Sequence, residues 1–223
     1  MPRDMLREMW LGLKRSWGLR WSAKGPILAG LAALIVVVLV FALRAGGGTE
    51  AESAFRKGNA LSQEERWEQA IAEYDRAIAL DPELADAYLR RGIAYGNLVQ
   101  HERAVVDFNR AVDVNPSDAT AWYYRGWSYL NLGKYQQAIA DADKSIGIQA
   151  DAPDPYYNRG MARSALGDSQ GAIADLETAF SLSGNSEEWR QKAIEDLGKL
   201  ISRNGEPAVT ARMEKVLAEL RGR

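Results

Sequence analysis

The segment WYYRGWSYLNLGKYQQA, Trp122 to Ala138, decides how this chain is read. Five of its first eight residues are aromatic, and that surface could line a cofactor box, grip a partner or fill a core. The answer begins with its neighbours. Gly126 is one of a series, Gly58, Gly92, Gly126 and Gly160, spaced 34 residues apart. Ala138 belongs to a second series at the same interval, with Ala70, Ala104 and Ala172. Pro82 and Pro116 keep the interval, as do Tyr74 and Phe108. Small residues at the Gly and Ala places let two helices of a hairpin approach closely, and large aromatics fill the gap to the next hairpin. Proline closes the second helix, because it lacks a donor and restricts the residue before it.

This period, with its residues, resembles the tetratricopeptide repeat, a helix–turn–helix unit. The first unit, 51–84, supplies Gly58, Trp67, Ala70, Tyr74, Ala77 and Pro82. The second, 85–118, supplies Tyr88, Gly92, Tyr95, Ala104, Phe108, Ala111 and Pro116. The third, 119–152, holds the landmarks of the opening segment. The fourth, 153–186, supplies Tyr156, Gly160, Leu166, Gly167, Ala172 and Ala179. The third unit departs from the pattern at Ala142 and Ser145, and the fourth at Arg163 and Ser169. The resemblance implies an all-α fold, a right-handed superhelical solenoid of helix–turn–helix repeats. Each unit touches only its neighbours, so such a stack needs caps. Residues 187–223 can supply one: Trp189, Ala193, Ile194, Leu197, Leu200 and Ile201 share a helix face closed by Gly205. Pro207 then opens another helix. The segment reads as capping helices or a degenerate fifth repeat, with the cap preferred.

The chain ahead of the repeats is of another kind. Ile27 to Leu43 carries no charged or polar side chain, and at 1.5 Å per residue it spans about 26 Å. Residues 26–45 therefore read as a transmembrane helix preceding the solenoid. Arg44 stands where a cleaved signal peptide would want a small residue, so an uncleaved anchor is expected. Residues 1–25 form a basic amphipathic segment in which Trp10, Trp17 and Trp21 suit the membrane interface. Six basic residues precede the span, and residues 45–223 carry 28 acidic against 21 basic ones. Basic flanks stay in the cytoplasm, which places the N-terminus inside and the repeats outside. Residues 46–50 read as a Gly-rich linker, and Thr49 with Glu52 as a capping box.

Little catalytic chemistry is available. There is no cysteine, which excludes disulfides and Cys-based metal or redox sites. The one histidine, His101, takes the place of Trp67 and Tyr135 in the neighbouring units and reads as a packing residue. No cofactor and no metal site is expected, and no enzyme. Asp141 and Asp143, two apart, read as solvated charges. A formal net charge of −2 does not suit a nucleic-acid binder.

Members of the resembled family mostly bind other proteins in a groove lined by the first helices of successive units. The residues carried onto groove positions are Phe55 and Asn59, then Leu89, Arg90 and Ile93. The third unit adds Tyr123, Tyr124, Trp127 and Asn131, and the fourth Tyr157, Asn158 and Met161. Some members grip a C-terminal carboxylate with a clamp of Lys, Asn and Arg. Here Asn59 fits one place, but Phe55, Arg90, Thr120 and Tyr124 stand at the others, so the clamp is absent in its known form. A mixed aromatic and polar groove calls for a protein or peptide ligand with apolar anchors. Trp122 and Tyr129 are expected to be architectural. The first functional reading is a scaffold anchored in a bacterial inner membrane, with its solenoid in the periplasm, serving a membrane complex as accessory or assembly factor. An import or sorting receptor with a cytosolic solenoid is the second, and a self-associating homo-oligomeric scaffold the third.

Overall fold

The computed structural model describes residues 50–203 and 206–222. Contacts divide the chain into two units, Met1–Gly47 and Gly48–Arg223, and the described residues lie in the second. Among the described residues there are ten helices and no strand, and no helix is long and apolar enough to cross a membrane. The expected span at 26–45, the interfacial Trp10, Trp17 and Trp21, and the Thr49 cap lie outside the described residues.

Helix α1 covers residues 50–63. There follow α2 (Trp67–Leu80), α3 (Ala85–Asn97), α4 (His101–Val114), α5 (Ala119–Asn131) and α6 (Tyr135–Ile148). The last four are α7 (Pro153–Leu166), α8 (Ser169–Leu182), α9 (Ser186–Arg203) and α10 (Pro207–Arg221). The hairpins are α1/α2, α3/α4, α5/α6 and α7/α8, each packing on the next. The turns inside them fall at Glu65, Val99, Gly133 and Gly167, which all have positive φ. Only glycine takes that conformation without strain, so the third and fourth turns are relaxed and the second, with a β-branched residue, is not. Proline opens α7 and α10, where a missing N–H is harmless. Asp118 and Asp168 cap α5 and α8 by accepting from the amides of Thr120 and Gly171.

The repeating glycines mark the closest approach within each hairpin. A Cβ at Gly58 would lie 2.6 Å from the Tyr74 ring, and one at Gly92 2.6 Å from the Phe108 ring. At Gly160 the opposing side chain is Leu176, and at Gly126 it is Asp141. The partner lies 16 positions on and is large in three of the four units, whereas Asp141 lies 15 on from Gly126. Tyr74, Phe108 and Leu176 are wholly buried. Burial of an aromatic or leucine side chain contributes about 1.5–3 kcal/mol. A glycine without side chain is what lets that ring seat against the backbone.

Beside these contacts runs a ladder of ion pairs. Arg125 of α5 grips Asp141 of α6 with two bonds, Nε and Nη2 each 2.7 Å from a carboxylate oxygen. Its Nη1 donates to Asn109 of the preceding hairpin at 2.8 Å. Arg91 repeats this with Asp107 and Asp75, and Arg159 with Asp175 and Asp143. Lys57 and Glu73 begin the series. The reading as a solvated charge is therefore corrected for Asp141, while Asp143 is exposed. Asp141 is 4% exposed and Asp143 is bonded to Arg159. The fork geometry of arginine suits this position, because one side chain binds a carboxylate bidentately and still has a third donor for the preceding hairpin.

Candidate functional site

Helices α3, α5 and α7, the first of their hairpins, approach one another, whereas α4, α6 and α8 are kept apart by them. The stack therefore curves with its first helices on the inner side, and the groove residues named from the sequence belong to that face. The structure does not treat them alike.

The N-terminal end of the face is open. A cavity of about 310 Å³ is lined by Asn59, Ser62, Gln63, Trp67, Tyr74, Arg90 and Ile93. Its floor is fixed by Tyr74, whose hydroxyl donates to Asn59 Oδ1 at 2.8 Å and lies 2.9 Å from Ser62 Oγ. Burial pushes the Tyr74 phenol up, opposed by the Ser62 hydrogen bond and the Arg90 charge. With its oxygen occupied by Tyr74, the Asn59 amide has its NH2 donors left for a ligand. Phe55 leans on Tyr74, ring centres 6.0 Å apart. Arg90 is exposed and, among the described residues, no carboxylate lines the cavity. The site thus offers donors and positive charge beside apolar walls from Ile93 and Trp67.

The middle of the face carries the aromatics of the opening segment. Tyr124 stacks on Phe108 at 6.0 Å and 18°, and touches Tyr123 at 4.6 Å. Burial, reinforced by the Asp154 charge, pushes the Tyr123 phenol far above its ordinary range. Trp127 meets His101 edge to face at 5.1 Å and covers Gly96, where a Cβ would come within 2.8 Å of it. His101 is buried, which lowers its imidazole; Glu102 opposes this and Arg203 adds to it. Asn131 turns back to donate to the Trp127 carbonyl at 2.9 Å. Trp122 and Tyr129 are also only partly buried. Trp122 donates to the Pro116 carbonyl at 2.9 Å, with the Arg125 guanidinium 4.6 Å from its ring centre. The split between architectural and free aromatics is thus less sharp than the register alone implies, because Tyr123 and Trp127 each pack on a neighbour while keeping an open edge.

The C-terminal end is covered. Leu89, Tyr157, Asn158 and Met161 were carried onto groove positions, but they are 6%, 5%, 3% and 1% exposed. They present no surface to a partner in this structure. Tyr157 and Met161 are packed by the C-terminal pair of helices. Tyr157 donates to Asp196 of α9 at 2.7 Å and meets Trp189 edge to face at 5.6 Å. Lys192 Nζ sits 4.0 Å from the Tyr157 ring centre. Met161 joins a core cluster with Leu197 of α9 and Met213, Val216, Leu217 and Leu220 of α10.

Sequence reasoning missed the Arg–Asp ladder, whose signal was present. Arg91, Arg125 and Arg159 recur at the repeat interval, as do Asp107, Asp141 and Asp175. Among the described residues no group of His, Asp and Glu side chains could hold a metal ion.

Comparison with known proteins fits this architecture. A TPR repeat model matches residues 58–99, and tetratricopeptide repeat models match 89–155 and 153–186. No curated protein matches the chain in sequence. Among solved structures, MamA from Desulfovibrio magneticus RS-1, residues 41 to the end, superimposes with a TM-score of 0.60. It shares 19% identity, over 78% of this chain and 97% of that one. The first TPR domain of Spaghetti (RPAP3), bound to the HSP90 peptide SRMEEVD, gives 0.53 at 24% identity, over 53% of this chain and 94% of that one. The TPR domain of Arabidopsis OM64 gives 0.52 at 24% identity, over 52% and 97%. At such identities these likenesses speak for the fold alone. The matched segments together run from residue 58 to 186, more than half of the chain, over hairpins whose glycine, aromatic and alanine contacts recur in register, and the chain belongs to the tetratricopeptide repeat family.

Proposed function

We propose that this chain is a membrane-anchored interaction scaffold that holds a protein or peptide partner in the open part of its groove, between α1 and α5. The observation that carries this reading is the donor-rich cavity at Asn59, Gln63, Trp67 and Arg90, continuous in register with the half-open rings of Tyr124 and Trp127. A ligand that fits it places an acidic group against Arg90 and Asn59 and an apolar side chain against Ile93 and the aromatics. Charge complementarity supports the acidic group, since among the described residues the lining holds an arginine and no carboxylate. The first TPR domain of Spaghetti takes an acidic HSP90 peptide, SRMEEVD. Here the Lys–Asn–Arg clamp is absent, so Arg90 with Asn59 would have to do that work.

The apolar run of Ile27 to Leu43 supports anchoring, and the basic residues before it support an outside solenoid in a bacterial inner membrane. An accessory or assembly factor for a membrane complex fits an anchored scaffold of this kind. The test is photo-cross-linking of the full-length chain in its own membranes. A probe at Asn97, on the groove side, is expected to give a discrete adduct with a second protein, and a probe at Val106, on the outer face of α4, is not. Equal adducts at both sites, or adducts unchanged by Arg90→Glu, would sink the groove reading. A reporter fused after Arg223 that is active only in the cytosol would sink the topology.

A further inference from the structure

Trp67, His101, Tyr135 and Ser169 open α2, α4, α6 and α8 at the same place in the repeat, and of these only His101 changes its charge near neutral pH. It is 8% exposed and meets Trp127 of the next hairpin edge to face, ring centres 5.1 Å apart. The indole also closes over Gly96 of α3, where an added Cβ would come within 2.8 Å of Trp127 Cζ3. Trp127 is therefore wedged between the imidazole of α4 and the bare backbone of α3. It is half-buried and keeps an edge toward the groove.

The surroundings of His101 suit a neutral ring. Its Nδ1 is buried and has no hydrogen-bond partner. In the neutral imidazole that nitrogen can stay a bare acceptor. In the cation it becomes a buried donor without an acceptor, which is the costlier state. His101 is also the first residue of α4, where the helix dipole disfavours positive charge. Burial holds the imidazole below its ordinary range; Glu102 of its own helix opposes this, and Arg203 at the end of α9 adds to it. Gly96 of α3 and Trp127 of α5 face the same spot and carry no charge. Attraction of a cation to the indole face is smaller than the cost of a buried charged donor that finds no acceptor. The cheaper response to protonation is for the ring to turn outward, where both N–H groups reach water.

We infer that His101 and Trp127 form a pH-operated latch in the groove floor: the neutral imidazole props the indole against Gly96, and protonation turns the imidazole out to water and frees the indole. A partner seated on Trp127 is then held above the titration of His101 and loosened below it. Between the value of a solvated imidazole, about 6.5, and the lower value of the latched one, each unit fall in pH raises the ratio of open to latched chains up to tenfold. The consequence for a partner rests on the groove reading above, but the test of the latch needs no partner, so the two fail separately.

The chain has one histidine, so an imidazole signal belongs to His101 alone. The full-length chain in lipid nanodiscs, carbon-labelled at the imidazole and carrying 5-fluorotryptophan, is titrated by NMR across the histidine range, with Trp127→Phe identifying the Trp127 signal. His101 is expected to titrate below about 6.5. The Trp127 signal should shift with the same midpoint, and that of Trp122, tied to the Pro116 carbonyl, should not. A soluble paramagnetic reagent should broaden the Trp127 signal several-fold more below the midpoint than above it, because a freed indole meets solvent. His101→Tyr, with the side chain type that Tyr135 supplies one repeat later, should remove the pH response of Trp127. The inference is overturned if His101 titrates at or above about 6.5, if the broadening of Trp127 does not change with pH, or if Trp127 still responds in His101→Tyr. Should His101→Tyr fail to fold, the unsubstituted chain decides: equal midpoints for His101 and Trp127 support the latch, and unequal ones overturn it.

Discussion

Replacing Arg125 by methionine would isolate what the ion-pair ladder contributes. Arg125 makes two bonds to Asp141 and a third to Asn109, so the change severs one link within a hairpin and one between hairpins. Asp141 has a side chain only 6% exposed, and the methionine leaves it with no counter-charge. Stranding one member of a buried pair destabilises by about 3–5 kcal/mol. With a urea slope near 2 kcal/mol/M, the unfolding midpoint should fall by about 1.5–2.5 M. The pH dependence carries a sign. Burial already holds the Asp141 carboxyl above its ordinary range, with Arg125 opposing that effect. Without Arg125 the rise is larger. A carboxyl raised in the folded state favours folding when protonated, and that advantage is lost as pH climbs through its folded pKa. The deficit of Arg125→Met should therefore shrink as the pH falls from 7 toward 4. Arg125→Met with Asp141→Leu should recover most of the loss, because no buried charge remains. The assay is equilibrium urea unfolding followed by far-UV circular dichroism at several pH values. A single variant within about 1 kcal/mol of the parent, or a double variant no better than the single one, would refute the reasoning.

Three further outcomes are expected. Val99 sits at φ 59° and is 72% exposed, at the turn position that glycine fills in the next two hairpins; Val99→Gly should raise stability by about 1 kcal/mol, read as an increase in Tm of a few degrees. Gly92→Ala would drive a methyl into the Phe108 ring, and it should lower stability by about 1–3 kcal/mol in the same assay. His101 is held neutral by burial, so the unfolded chain binds the extra proton first; stability should fall as pH drops below about 6.5, and His101→Phe should flatten that slope in urea titrations between pH 7 and 5.

Much of the fold could be read from residue spacing, because each hairpin repeats one set of contacts. Gly58, Gly92 and Gly160 each meet the side chain 16 residues on, so a repeat in sequence is a repeat of the same close approach. The site was legible only in part. Register assigned Asn59, Arg90, Tyr124 and Trp127 to the inner face, and the structure leaves them accessible. Register also assigned Tyr157, Asn158 and Met161 there, and they are covered. Periodicity reports which face of a helix a residue occupies. It does not report what non-repeating chain later lies on that face.

Asp141 shows the same limit from the other side. Two aspartates in alternation on a helix look solvated when only their own helix is considered, yet one is buried because Arg125, 16 residues earlier, reaches it across the hairpin. What the sequence determined by itself is local and repeated: the hairpin unit, its glycine contact, its turn and its aromatic fill, all set by short-range sterics. Where the inner face stays open and where the C-terminal helices cover it was decided by tertiary structure. That choice depends on how residues of the non-repeating C-terminal helices pack on Tyr157 and Met161, and no single helix carries that packing in its own residues.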